Sequence, residues 1–203
     1  MNKQQILVIH GGSIYETQEK YLNALENREP KLEWIKFNYE WKASLQDNLG
    51  DSFEVLNPNM PQKDNAKYDH WKLYFEKVLD IMDKDIILVG HSLGSVFLAK
   101  FLSENIIDKN IKGLFLVAPA FNNEGMEEEP LDTFTIIDKT LQKLKDQVKN
   151  IFLYHSKDDL IVPYTHSEKF KEVLPDSKLT LLEDKFHFND NDFPQLTEDI
   201  KSI

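Results

Sequence analysis

Cysteine is missing altogether, which excludes disulfides and thiolate metal sites and agrees with a reducing, cytoplasmic setting. No apolar run approaches the length of a membrane span, and Met1-Asn2-Lys3-Gln4-Gln5 lacks the apolar stretch of a secretory signal. Positive charge is short. Lys and Arg number 24 against 35 Asp and Glu, a net charge of −11, which argues against a nucleic-acid partner and against an anionic membrane surface. Part of that excess is one local run, Glu124 to Glu129, read as a solvated loop. Glycine is scarce as well, with seven in 203 residues.

Two of those glycines flank one serine, in Gly90-His91-Ser92-Leu93-Gly94. With so few glycines, a chance Gly-x-Ser-x-Gly arises about once in a hundred such chains by composition. Context sharpens the signal. Ile86-Ile87-Leu88-Val89 reads as a strand buried on both faces, and Val96 to Leu102 as a mostly apolar helix. Strand, sharp turn and helix with a serine at the corner is the arrangement of a nucleophile elbow. The bland alternative is an ordinary turn whose serine caps the helix.

The rest of the chain repeats this alternation. Strands are expected at Ile6–Ile9, Phe53–Leu56, Gly113–Pro119, Ile151–Tyr154 and Lys178–Leu182. Helices are expected at Thr17–Leu25, Tyr68–Met82, Leu131–Val148, Tyr164–Leu174 and Pro194–Ile203. In the Tyr68–Met82 helix, Trp71, Tyr74, Phe75, Val78, Leu79 and Met82 fall near one face. Residues 28–50, rich in charge and carrying Trp34, Phe37, Tyr39 and Trp41, are expected to form irregular or helical structure over a sheet edge. Strands apolar on both faces alternating with helices predict an α/β fold, a mostly parallel central sheet with helices on both faces. The length and the lack of linkers or repeats predict one domain over residues 1–203.

A serine hydroxyl needs a base, and the base needs an orienting group. In open α/β sheets such groups gather beyond the C-terminal strand ends. Two acidic residues, Asp158 and Asp159, follow the Ile151–Tyr154 strand, and His187 follows the last strand. His187 is the only one of six histidines in a post-strand loop downstream of an acidic one, and Ser, Asp, His is the chain order that this architecture uses. The other five have quieter readings. His10 closes the first strand, His91 is structural and His70 lies on a helix surface, while His155 and His166 with Asp158 lack zinc-ligand spacing.

Taken together, His10-Gly11-Gly12 after the first strand, Asn57-Pro58-Asn59-Met60-Pro61 followed by Trp71, the elbow, Asp159-Leu160-Ile161-Val162-Pro163 and His187-Phe188 resemble the α/β-hydrolases. More narrowly, they resemble the small serine hydrolases of the bacterial YdeN type, relatives of the retinoblastoma-binding serine hydrolase, which carry little or no lid. The resemblance spans nearly the whole chain. It implies a Ser92–His187–Asp159 triad, with Asp159 preferred over Asp158 because the family's acid lies four residues before the proline. It also implies an oxyanion hole made by the backbone N–H groups of Leu93 and Gly12. Phe186 stands where the family usually has glycine, and residues 28–50 are longer than in its smallest members. The function implied is hydrolysis of a small ester through an acyl-enzyme, with no cofactor and no metal. The short stretch Ala120–Asn150 would cover the pocket, which favours short-chain substrates. Two rivals stand beside this reading. One is a weakly active hydrolase-fold protein that binds a protein partner; the other is an amidase or thioesterase.

Overall fold

The structure is a computed structural model; it describes residues 3–30, 40–126 and 131–203. Six strands form one sheet: β1 (Gln4–Ile9), β2 (Phe53–Leu56), β3 (Asp85–His91), β4 (Asn110–Val117), β5 (Ile151–Ser156) and β6 (Lys178–Leu182). Their order is β2-β1-β3-β4-β5-β6, and every neighbouring pair is parallel. The elbow strand β3 is central.

Alternate residues of each strand point to opposite faces, so the sheet divides the core in two. Leu7, Ile9, Ile86, Leu88, Leu114 and Leu116 pack on one side, with α3 (Tyr68–Ile81), α4 (Leu93–Glu104), α5 (Leu141–Gln147) and α6 (Thr165–Val173). Ile6, Val8, Ile87, Val89, Phe115 and Val117 pack on the other, with α2 (Trp41–Leu49) and α7 (Pro194–Lys201). Both faces of the sheet are therefore apolar, which is why its strands read as continuous hydrophobic runs. α1 (Gln18–Glu26) follows the β1 loop. The Thr17 hydroxyl oxygen caps it by accepting from the Lys20 N–H at 3.1 Å. Among the described residues no helix is long and apolar enough to cross a membrane.

Three expectations need correction or bounding. Leu131–Val148 is not one helix: two short 3₁₀ turns, Asp132–Phe134 and Asp138–Thr140, precede α5. The cause is local. Thr133, Thr135, Ile136 and Ile137 are β-branched, and the Thr135 and Thr140 hydroxyls donate to their own turn carbonyls at Asp132 (2.8 Å) and Ile137 (2.6 Å). In α3 the buried stripe is Tyr68, Trp71, Phe75 and Leu79, with Tyr74 turned outward. Of the 28–50 stretch, Trp34, Phe37 and Tyr39 lie outside the described residues. The described part contains α2, whose Trp41, Leu45 and Leu49 recur every four residues and bury one stripe against the sheet.

Candidate active site

The elbow shows why both of its glycines are needed. A Cβ on Gly94 would lie 2.1 Å from the Ile9 carbonyl oxygen, and one on Gly90 would lie 2.6 Å from the Ser95 backbone. Without those side chains α4 seats directly on β1 and β3. Between them Ser92 adopts φ 53° and ψ −122°, a region L-residues rarely occupy. Its N–H donates to the Val117 carbonyl at 2.8 Å, which ties the strained residue to β4. Although Ser92 occupies the N-cap position of α4, its side chain makes no capping hydrogen bond, so the bland reading of this serine fails.

The β1 loop lies directly beside it. A Cβ on Gly11 would stand 3.2 Å from Ser92 Cβ, and one on Gly12 would strike the Lys63 carbonyl oxygen at 2.6 Å. His10 holds this turn. Its Nδ1–H donates to the Gly11 carbonyl at 2.6 Å, and its Nε2 accepts from the Met60 N–H at 2.8 Å. Among the described residues the N–H groups of Gly12 and Leu93 have no acceptor. Gly12, Ser92 and Leu93 share the lining of a narrow cavity with Ile14, Val96, Ala120, Met126 and Val162. Of the acidic run, Glu124 pairs with Lys169 at 2.5 Å, and Glu127–Glu129 lie outside the described residues.

The loop after β5 carries the acids. Asp159 is buried; its Oδ1 accepts from the N–H groups of Ile161 (2.9 Å) and Val162 (3.0 Å), and its Oδ2 accepts from His187 Nδ1–H at 2.8 Å. Burial opposes the Asp159 charge. The nearby His155 ring, the hydrogen bond and charge of His187 and the Val162 N–H outweigh it and hold the carboxyl well below the usual carboxylate range. Asp158 faces elsewhere: its Oδ1 accepts from the Ser156 hydroxyl at 2.5 Å and from the Phe186 N–H at 3.1 Å. The two neighbouring acids are thus sorted, one onto the imidazole and one onto the backbone of the imidazole's loop.

His187 presents Nδ1–H to Asp159, which leaves Nε2 as the basic nitrogen. The Ser92 hydroxyl makes no hydrogen bond to it in this structure; such contacts are often loose without substrate and tighten when one is bound. One supporting residue escaped the sequence reading. His155, fully buried, donates Nε2–H to the Val162 carbonyl at 2.8 Å and lies 3.4 Å from Asp159 Oδ2, while its Nδ1 accepts from the Ser167 hydroxyl at 2.7 Å. Its signal in the sequence is its place four residues before Asp159; the metal pattern weighed above groups His155 with His166 and Asp158 instead.

Three histidines that the site does not titrate make stability depend on pH. Burial pushes the imidazoles of His10, His91 and His166 below their ordinary value, furthest for His91. The unfolded chain therefore binds more protons than the folded one as pH falls. Stability is complete above the ordinary histidine value of 6.5 and declines below it, toward the lowered folded values. His91 alone contributes up to about 1.4 kcal/mol per pH unit in that window. The urea midpoint is expected to fall between pH 7.5 and 5.5 with the m-value unchanged; a flat midpoint would contradict this.

A parallel six-stranded sheet, helices on both faces and a serine at a strained strand–helix corner define the α/β-hydrolase class. The sequence profile described as serine hydrolase matches residues 37–200, and the chain belongs to that family. It is 26% identical over 151 residues to the serine hydrolase RBBP9 of Rattus norvegicus, covering 74% of this chain and 78% of that protein. It is 27% identical over 140 residues to YdeN of Bacillus subtilis, covering 69% and 73%. The crystal structure of the B. subtilis ydeN gene product superposes with a TM-score of 0.73 at 20% identity, over 98% of both chains. Est1E of Butyrivibrio proteoclasticus superposes at 0.61 with 18% identity, over 99% of this chain and 86% of that one.

Proposed function

We propose that this serine hydrolase cleaves small carboxylic esters through an acyl-enzyme, with Ser92 as nucleophile, His187 as base and Asp159 as its orienting acid. The observation that carries the reading is the state of Ser92: backbone-strained, half-buried at a cavity, and with a hydroxyl that no cap consumes. In the proposed cycle Ser92 Oγ attacks the carbonyl carbon as His187 Nε2 takes its proton. The oxyanion forms against the unpaired N–H groups of Leu93 and Gly12, each worth about 3 kcal/mol in barrier. His187 then protonates the leaving alcohol. Water, deprotonated by the same nitrogen, releases the acid. Asp159 keeps Nδ1 protonated throughout and stabilises the imidazolium. Apart from that water and the substrate, every group in this cycle comes from the chain, and none of its steps calls for a cofactor or metal.

The surroundings of Ser92 support a size and polarity. The narrow cavity beside Ser92, walled by Ile14, Val96, Ala120, Met126 and Val162, supports a short acyl group. Across the Gly11 turn, His10, Asn57, Asn59 and Lys63 line an open polar cleft, which suits an alcohol portion bearing polar groups. A small molecule is therefore the proposed partner, and the lack of cysteine supports a cytoplasmic setting.

A panel of p-nitrophenyl acetate, butyrate and octanoate, an acyl anilide and an acyl thioester tests this on the purified protein. Acetate or butyrate is expected to turn over fastest. Preference for the thioester or anilide would move the assignment to those chemistries. No turnover, together with no fluorophosphonate adduct on the folded protein, would favour the partner-binding rival.

A further inference from the structure

We propose that His91, held by Lys42, is a positioning residue for His187, and that the entry to α2 is part of the machinery that keeps the base in place. This rests on the reading of His187 as the base.

The loop that carries His187 is strained on both sides of it. Asp184, Phe186 and Phe188 all have positive φ, at 60°, 45° and 57°. None is glycine. A backbone in this state persists only when its surroundings over-determine it. The surroundings supply donors and acceptors from two directions. From the β5 side, the Lys185 N–H donates to Ser156 Oγ and the Phe186 N–H to Asp158 Oδ1, both at 3.1 Å. From the opposite side, two side chains grip consecutive carbonyls. His91 Nε2–H donates to the His187 carbonyl at 2.8 Å, and Trp41 Nε1–H donates to the Phe188 carbonyl at 3.0 Å. The start of α2 adds its own hold further along, where the Trp41 N–H donates to the Asp190 carbonyl at 2.8 Å.

The His91 contact has a chemical requirement that a space-filling residue would not meet. A carbonyl only accepts, so Nε2 must carry the proton. His91 is buried and neutral, so Nδ1 must then accept, and the Lys42 ammonium donates to it at 3.1 Å. Lys42 is in turn paired with the Glu40 carboxylate. The line Glu40, Lys42, His91, His187 carbonyl thus fixes one tautomer of His91 and aims its donor at the base's own peptide. Removing the ammonium leaves both tautomers open, and only one can make the bond.

The test uses His91→Met, which fills the space without a donor, His91→Gln, whose amide can still donate, and Lys42→Met, which frees the tautomer. Displacement of a reacting group by about 1 Å can cost on the order of 10²-fold in rate. His91→Met is expected to lower kcat on p-nitrophenyl acetate by about 10- to 100-fold with KM within about twofold. Lys42→Met is expected to lower it by about 3- to 10-fold, and His91→Gln to recover kcat to within about threefold of the wild type. Wild-type kcat in His91→Met, or equal losses in the Met and Gln variants, would overturn the proposal. If His91→Met does not fold, Lys42→Met decides, since it leaves the buried ring in place; an unchanged kcat there overturns the proposal too. His187→Ala separates the two readings. If it keeps full turnover, the base assignment fails; if it is inactive while His91→Met is normal, only the positioning role fails.

Discussion

Replacing Ser92 by alanine is expected to abolish fluorophosphonate labelling and to lower ester turnover by about 10⁵- to 10⁶-fold, with the melting temperature essentially unchanged. The two halves of that expectation come from the same geometry. The hydroxyl makes no hydrogen bond that folding relies on, so its removal costs no cap and leaves no buried partner unsatisfied. Alanine inherits the same positive φ, so the strain at the elbow is neither relieved nor increased. If the serine were only a helix cap, the result would reverse: about 1 kcal/mol of stability lost and turnover retained. Labelling, turnover and melting measured on one pair of proteins separate the alternatives.

Asp159→Asn is expected to lower kcat by about 10⁴-fold, while Asp158→Asn costs less than about tenfold. Asparagine at 159 keeps an oxygen for the Ile161 and Val162 N–H groups, so the loop survives. Its amide nitrogen then faces His187 Nδ1 as a donor, where the carboxylate accepted at 2.8 Å. His187 must respond by carrying its proton on Nε2, the nitrogen proposed to take the proton of Ser92. At 158 the carboxylate oxygen accepts from Ser156 and the Phe186 N–H, and an amide oxygen can do both. The residue therefore holds the histidine loop without setting the tautomer. Equal losses in the two variants would overturn the choice of acid.

The sheet was legible because its signal is chemical and repetitive: apolar residues at both parities of Ile86–Val89 leave no solvent face, which a strand covered on both sides satisfies, and the strands alternate with helices along the chain. The elbow was legible for a steric reason, since the Ile9 carbonyl leaves no room for a side chain on Gly94. The misread helix has a local source. Between Leu131 and Val148 apolar spacing looked helical, but threonine hydroxyls compete for the turn carbonyls, and that competition is invisible to a count of apolar positions. The supporting shell was hidden for another reason. His91 and Trp41 act on backbone carbonyls 96 and 147 residues away, and every residue type offers a carbonyl, so nothing in the sequence at 187 or 188 announces the need for a donor.

The wholly parallel sheet has a consequence for how the protein is made. With no hairpin available, even the central pairing of β3 with β4 joins Ile87 to Gly113 across a helix, and β1 with β3 joins Ile6 to Ile87, so each ladder must wait for a crossover to be synthesised and brought back. The imidazole at 187 emerges well after the elbow, and its loop docks on α2, a helix made before the elbow. On the ribosome, then, the nascent polypeptide carries the proposed nucleophile before its proposed base has been made. Regain of turnover after denaturation would report closure of the whole molecule, arriving after helical content has already returned.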